Sequence, residues 1–171
     1  MKKLCALAAV TTLACATVNA AQAADVTAAI GQSGDSTMVY RLGAQWDWEK
    51  SWLQSSVGRL TGYWDLGYTY WDGDDTASNH SLSFAPVFVY EFAGQTVRPY
   101  IEAGIGVAAF SSTELESNEL GSSFQFEDRI GVGLRFADQE IGLRAIHYSN
   151  AGIKKPNDGA EAYTVHYRMS F

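Results

Sequence analysis

Beyond its first two dozen residues the chain contains no cysteine. Cys5 and Cys15 both fall in the opening apolar segment, so disulfide and thiol chemistry are excluded from everything after it. A lipid-anchored Cys15 is disfavoured, because Thr12 stands where such sites place an apolar residue. Basic residues are also scarce: 12 Lys and Arg stand against 19 Asp and Glu. That balance argues against broad nucleic-acid binding, which needs a basic surface. After the opening segment no apolar run is long enough for a membrane-crossing helix,. No phosphate-cradling loop and no cluster with ligand spacing is present, and His80 and His166 fall on different predicted faces. No cofactor and no metal is therefore expected. Linkers, long low-complexity tracts and long-period repeats are missing too, which points to one domain.

The opening segment reads as an export signal. Lys2 and Lys3 precede an apolar stretch from Leu4 to Val18, and Ala21-Gln22-Ala23 has the small-x-small form of a cleavage site,. Residues 1–23 are expected to be a cleaved signal peptide, and 24–171 the folded domain. Removing Lys2 and Lys3 leaves 10 basic residues against 19 acidic, a net charge of −9.

In the remaining residues the recurring signal is alternation of period two. In His80–Phe92, Leu82, Phe84, Phe88 and Tyr90 share a face opposite Ser81, Ser83 and Glu91. In Arg59–Trp71, Leu60, Trp64, Leu66 and Tyr68 oppose Arg59 and Asp65. Met38–Trp48, Val97–Phe110 and Ser122–Phe136 behave alike, and shorter runs near Val26–Gly31, Ile141–Ala151 and Ala160–Phe171 bring the count to eight. The expected fold is all-β, an eight-stranded antiparallel transmembrane β-barrel, since an even number of such strands can close and satisfy every backbone group in lipid. Alternation alone does not say which face is inside. A soluble ligand-binding barrel would put the apolar face inward. The minor faces carry arginines at 41, 59, 98, 129, 135, 144 and 168 with Asp47, Asp65, Glu91, Glu102 and Glu127, and mixed signs suit a narrow, internally paired lumen. Trp46, Trp48, Tyr68 and Tyr70 are candidates for interfacial girdles, with core packing as the ordinary alternative. Phe171, a terminal aromatic on the last alternating run, is a common mark of outer-membrane barrels. Connections at 93–96 and 137–140 are short, and those near 72–79, 111–121 and 151–159 are longer and polar, as expected for periplasmic turns and external loops,. The 49–58 connection breaks that pattern.

One polar cluster interrupts the apolar face. His147 and Ser149 project the same way from a strand, and the Asn157-Asp158-Gly159 turn brings Glu161 back beside them if the two runs pair as a hairpin,. An imidazole next to a hydroxyl, with a carboxylate to orient it, is the side-chain set of a serine hydrolase. All three lie on the lipid-facing exterior, where polar groups are costly. The plain alternative is an interfacial polar cluster ending the apolar belt. Asp128, within the Phe124, Phe126, Ile130 series, is a second polar intrusion expected near the other three.

At these residues the chain resembles the PagL family, outer-membrane lipid A 3-O-deacylases. RLTGYWDLGYTYWDG (59–73), HSLSFAPVFVYEFAG (80–94), IEAGIGVAAF (101–110), FEDRIGVGLRFA (126–137), AIHYSNAG (145–152) and KPNDGAE (155–161) carry the resemblance. It implies an eight-stranded outer-membrane barrel with a Ser-His-Glu triad on its outer surface. Ser149 would be nucleophile, His147 general base and Glu161 its partner. Asn150 and Asn157 would lie where oxyanion donors are supplied, with Phe126 and Asp128 as substrate-site neighbours. The implied partner is lipid A within lipopolysaccharide, reached sideways from the outer leaflet, and Lys154 and Lys155 could meet its phosphates. Competing readings are a noncatalytic structural or adhesion barrel and a barrel acyltransferase. The oligomeric state, a homodimer included, stays open because the apolar exterior is expected to meet lipid.

Overall fold

The computed structural model describes residues 24–170, so the expected signal peptide and Phe171 lie outside the described residues. Ten strands form: β1 (Asp25–Ser33), β2 (Met38–Asp47), β3 (Gly58–Trp71), β4 (Asn79–Phe92), β5 (Arg98–Phe110), β6 (Glu114–Leu115), β7 (Asn118–Glu119), β8 (Phe124–Phe136), β9 (Gln139–Ser149) and β10 (Ala160–Met169). Eight of them close into an antiparallel barrel in the order β1-β10-β9-β8-β5-β4-β3-β2, and β6 with β7 makes a separate small hairpin. The expected eight-stranded barrel is thus the observed one. The small hairpin, inside the long 111–123 connection, was not foreseen.

The faces settle which side meets lipid. Leu42, Ile105, Ile130, Val132 and Leu143 point out and are exposed, while Arg41, Asp65, Glu102, Glu127, Arg129 and Arg144 point in and are buried. A soluble barrel would show the reverse, so the exterior is a lipid-facing belt. Asp65 accepts from Arg41 at 2.6 Å and from Arg129 at 2.8 Å. Glu127 pairs with Arg129 and accepts the Tyr148 hydroxyl at 2.9 Å. Glu102 holds Arg144 at 2.6 Å and the Tyr63 hydroxyl at 2.7 Å. Arg59 and Arg98, by contrast, sit half-exposed at the rim around Glu91.

Three features depart from the expected pattern. Glu140, assigned to a turn, is the second residue of β9, buried between Arg135 and His166. Five aromatic side chains, Tyr63, Trp71, Tyr100, Phe110 and Tyr148, fill the interior. Trp71, Phe110 and Tyr148 pack with Leu115 and Leu120 of the 111–123 connection as an apolar plug at the end with long connections. The lumen is therefore filled, with a second apolar cluster of Tyr63, Ala85, Val87, Val89 and Tyr100 among the charged side chains away from the plug. Finally, the anomalous 49–58 connection prolongs the β2–β3 hairpin. Trp52 bridges Leu60, Trp48 N–H donates to the Gly62 carbonyl at 2.8 Å, and the Trp48 ring meets Trp52, Trp64 and Phe88 edge-on. The extra length presents an aromatic cluster at the end with short turns, where an interfacial girdle belongs.

Candidate active site

The register of three neighbouring strands builds the site. In β8–β9 pairing Asp128 faces His147 and Phe126 faces Ser149; in β9–β10 pairing His147 faces Glu161. Asp128, His147 and Glu161 thus form one row across the sheet, all on the outer face, and Ser149 stands one step further along β9. Directly opposed side chains in an antiparallel pair come within about 5 Å of each other at Cβ. His147 Nδ1 and Glu161 Oε1 are 2.9 Å apart. Both side chains are part-exposed, at 46% and 38%.

A carboxylate on Nδ1 sets the tautomer. Nδ1 carries the proton it donates, and Nε2 is left as the acceptor facing away from Glu161. Residues two apart on a strand are separated by ~6.7 Å. The Ser149 hydroxyl therefore reaches Nε2 only when both side chains lean together, and no Ser149–His147 hydrogen bond is formed among the described residues. Hydrolase contacts of this kind commonly tighten only with substrate in place. Two glycines make room for the pair. Gly34 donates its N–H to the Glu161 carbonyl at 3.1 Å, and a Cβ there would lie 3.0 Å from Glu161 Oε2. Gly159 has φ +80°, and a Cβ would lie 3.1 Å from His147 Cε1.

The turn after Ser149 is held from within. Ala151 and Gly152 both have positive φ, 55° and 76°. Asn150 is fully buried and its groups are engaged: its N–H donates to Asn157 Oδ1 at 2.9 Å, and its Nδ2 donates to the carbonyls of Leu120 and Lys154 at 2.9 and 2.8 Å. Asn157, by accepting through Oδ1, has its amide orientation fixed with Nδ2 still to be used. Asn150 therefore shapes the turn, and Asn157 keeps its Nδ2 uncommitted.

Sequence reading missed one support of the site. The 111–123 connection docks on the 150–159 turn: Glu119 N–H donates to Asp158 Oδ2 at 2.9 Å, Asp158 N–H donates to the Glu119 carbonyl at 3.1 Å, and the Leu120 carbonyl holds Asn150. Contacts between a backbone carbonyl and a turn thirty residues away leave no periodic trace in a sequence. Below the polar row lies a groove of about 690 Å³, whose walls include Phe88, Ala103, Ile130, Ala145 and Tyr163 and whose upper edge is Asp128, His147 and Glu161. Alanines at 103 and 145, between larger neighbours in the same row, create its depth. An apolar groove opening sideways to lipid, with a base–carboxylate pair at its head, is suited to a long-chain ester. Among the described residues no group of His, Cys, Asp and Glu could hold a metal ion.

The family model for lipid A 3-O-deacylase (PagL) matches residues 38–170. The chain is 64% identical to the lipid A deacylase PagL of Pseudomonas aeruginosa over 171 residues, 99% of each chain. It is 43% identical to the lipid A deacylase PagL of Bordetella bronchiseptica over 118 residues, 67% of this chain and 65% of that one. The crystal structure of the outer membrane enzyme PagL superposes with a TM-score of 0.84 at 65% identity, covering 86% of this chain and 99% of that chain. With this sequence similarity and this barrel, the chain belongs to the PagL family of outer-membrane enzymes.

Proposed function

We propose that this outer-membrane barrel is a lipid A 3-O-deacylase, an esterase that removes the acyl chain at position 3 of lipid A from the outer leaflet. The observation that carries the reading is the His147–Glu161 pair at the head of a lipid-facing groove, one strand step from Ser149. Ser149 Oγ attacks the ester carbonyl and gives its proton to His147 Nε2. The tetrahedral oxyanion collapses, and the sugar oxygen leaves with the proton from His147. The acyl chain is now on Ser149. Water, deprotonated by His147, attacks the acyl-serine, and the fatty acid departs as Ser149 recovers its proton. Glu161 orients the ring and balances the charge it acquires in each half. Asn157 Nδ2 and the backbone of the 151–152 turn supply oxyanion donors, each of the kind that contributes ~2.7–4 kcal/mol. Phe126 and Asp128 flank Ser149 and His147 across the sheet. Lys154 and Lys155, exposed on the same turn, offer positive charge toward lipid phosphates.

Mass spectrometry of lipid A from cells expressing wild type or Ser149→Ala, at matched levels in the membrane, tests this. Loss of one 3-linked chain with wild type alone, with free fatty acid as product, supports it. Equal deacylation by both removes Ser149 as nucleophile. A chain found on another lipid instead of as free acid identifies an acyltransferase.

A further inference from the structure

A second groove, of about 770 Å³, adjoins the first on the barrel exterior. The two share Ile130, Ala145 and Tyr163, which form one row across β8, β9 and β10. From that row the first groove spreads toward β4 and β5. The second spreads toward β1, bounded below by Ile30, Leu143 and Val165. Its upper end is polar: Gln32, exposed on the lipid face, stands beside Tyr163 in the pairing, and Gly34 and Ser36 follow in the β1–β2 turn. Gly34 is bonded to Glu161, so this polar end stands level with the catalytic row. Across β8 to β10 the shared row is the floor of the first groove and the top of the second, and the second alone continues to β1, where Gln32, Gly34 and Ser36 give it a polar end of its own.

We infer that the second groove seats a neighbouring acyl chain of the same multi-chain lipid whose ester is cut in the first. This rests on the hydrolase reading above. A chain with its own polar attachment point fits the polar upper end. The distal tail of the scissile chain would arrive from the apolar floor and leave Gln32 and Ser36 facing methylenes, at a cost for unpaired polar groups. Occupying both grooves around Tyr163 selects a lipid with several chains on one headgroup over a single-chain ester of equal length, because only the former gains from both.

Ile30 lines the second groove and is half-exposed. The test compares purified wild type, Ile30→Trp and Leu42→Trp on two substrates in the same detergent: hexa-acylated lipid A and a single-chain p-nitrophenyl ester of the same chain length as the scissile one. Leu42 is also exposed on the outer face but lines neither groove, so it reports what an added indole does on its own. The expected result is a fall of about tenfold in the ratio of kcat/KM for lipid A over the single-chain ester in Ile30→Trp, the scale of two methylenes no longer buried, with the ratio in Leu42→Trp at the wild-type value. Parallel loss on both substrates would place the scissile chain's tail in this groove and overturn the inference. An unchanged ratio, or the same change in Leu42→Trp, also overturns it. If wild type hydrolyses neither substrate, the hydrolase reading itself fails and takes this one with it; if wild type hydrolyses both and the ratio stays put, only the second groove is lost.

Discussion

At the residue scale, the proposed function turns on one side-chain pair, His147 and Glu161. His147 and Glu161 are part-exposed on a face made mostly of apolar side chains. Polar groups on a lipid-facing surface are costly and are by default functional candidates, so the role of the pair is sought in chemistry. Replacing Glu161 by Gln keeps the shape but removes the charge that holds the proton on Nδ1. The expected outcome is a drop in kcat of roughly 10²–10⁴-fold with little change in KM, since orientation and charge of the base matter most in the transition state. Steady-state kinetics on lipid A in detergent would show it, and a Gln variant within twofold of wild type would remove Glu161 from the mechanism. These residues were legible in the sequence because each breaks the alternation locally. Asn150 was legible only as a neighbour: that its amide and N–H are consumed in holding the turn follows from Leu120, Lys154 and Asn157, which the sequence does not connect to it.

At the element scale, strands and connections differ in how they are held. Each strand of the barrel pairs on both sides, whereas the long connections depend on a few side chains. Glu116, at the tip of the β6–β7 hairpin, accepts from the N–H groups of Asp74 and Asp75, both at 2.9 Å, and from Thr76 Oγ1 at 3.3 Å. The backbone donors, Asp74's first, hold its carboxyl below the ordinary value of 4.5. A depressed carboxylate stabilises the folded contact above its unfolded pKa, and that stabilisation is lost as pH falls through the folded value. Acidification below 4.5 is therefore expected to release the 72–79 connection. Hydrogen exchange corrected for intrinsic rates should show protection at Asp74 and Asp75 fading with falling pH in wild type. In Glu116→Ala protection should be low throughout, and acid-insensitive protection in wild type would contradict this account. Element boundaries were read to within a few residues from alternation. Glu140 was misplaced in a turn because a charge beside Asp138 and Gln139 looks like a loop until Arg135 and His166 are seen to meet it. The β6–β7 hairpin was missed because two-residue strands are too short for a period to register.

At the scale of the whole molecule, the charged lumen and the apolar belt are one design. With lipid outside, the narrow interior takes the charges, and each must find a partner. Asp65 is the hub, bonded to Arg41, Arg129 and Gln45. Asp65→Ala leaves two buried guanidinium groups without it, and breaking a buried pair this way costs ~3–5 kcal/mol. Arg59→Ala, at the half-exposed rim, is expected to cost under about 1 kcal/mol. Urea unfolding of the two variants in lipid vesicles should separate them by that margin. Equal midpoints would mean that the interior network contributes no more than a rim pair. On the proposed function, the filled lumen, closed above by Trp71, Phe110, Leu115 and Leu120, leaves the exterior as the substrate's route.

By itself the sequence determined the barrel, the number of its long strands and the face on which His147, Ser149 and Glu161 lie, because period-two alternation records every side chain's direction. Only the tertiary structure decided which face met lipid, since that depends on Arg41, Asp65, Glu127 and Arg129 converging from separate strands. It also decided the grooves. Their depth comes from Ala103 and Ala145 lying in one row with Ile130 between them, and register between strands is set by pairings that no single run of residues contains,.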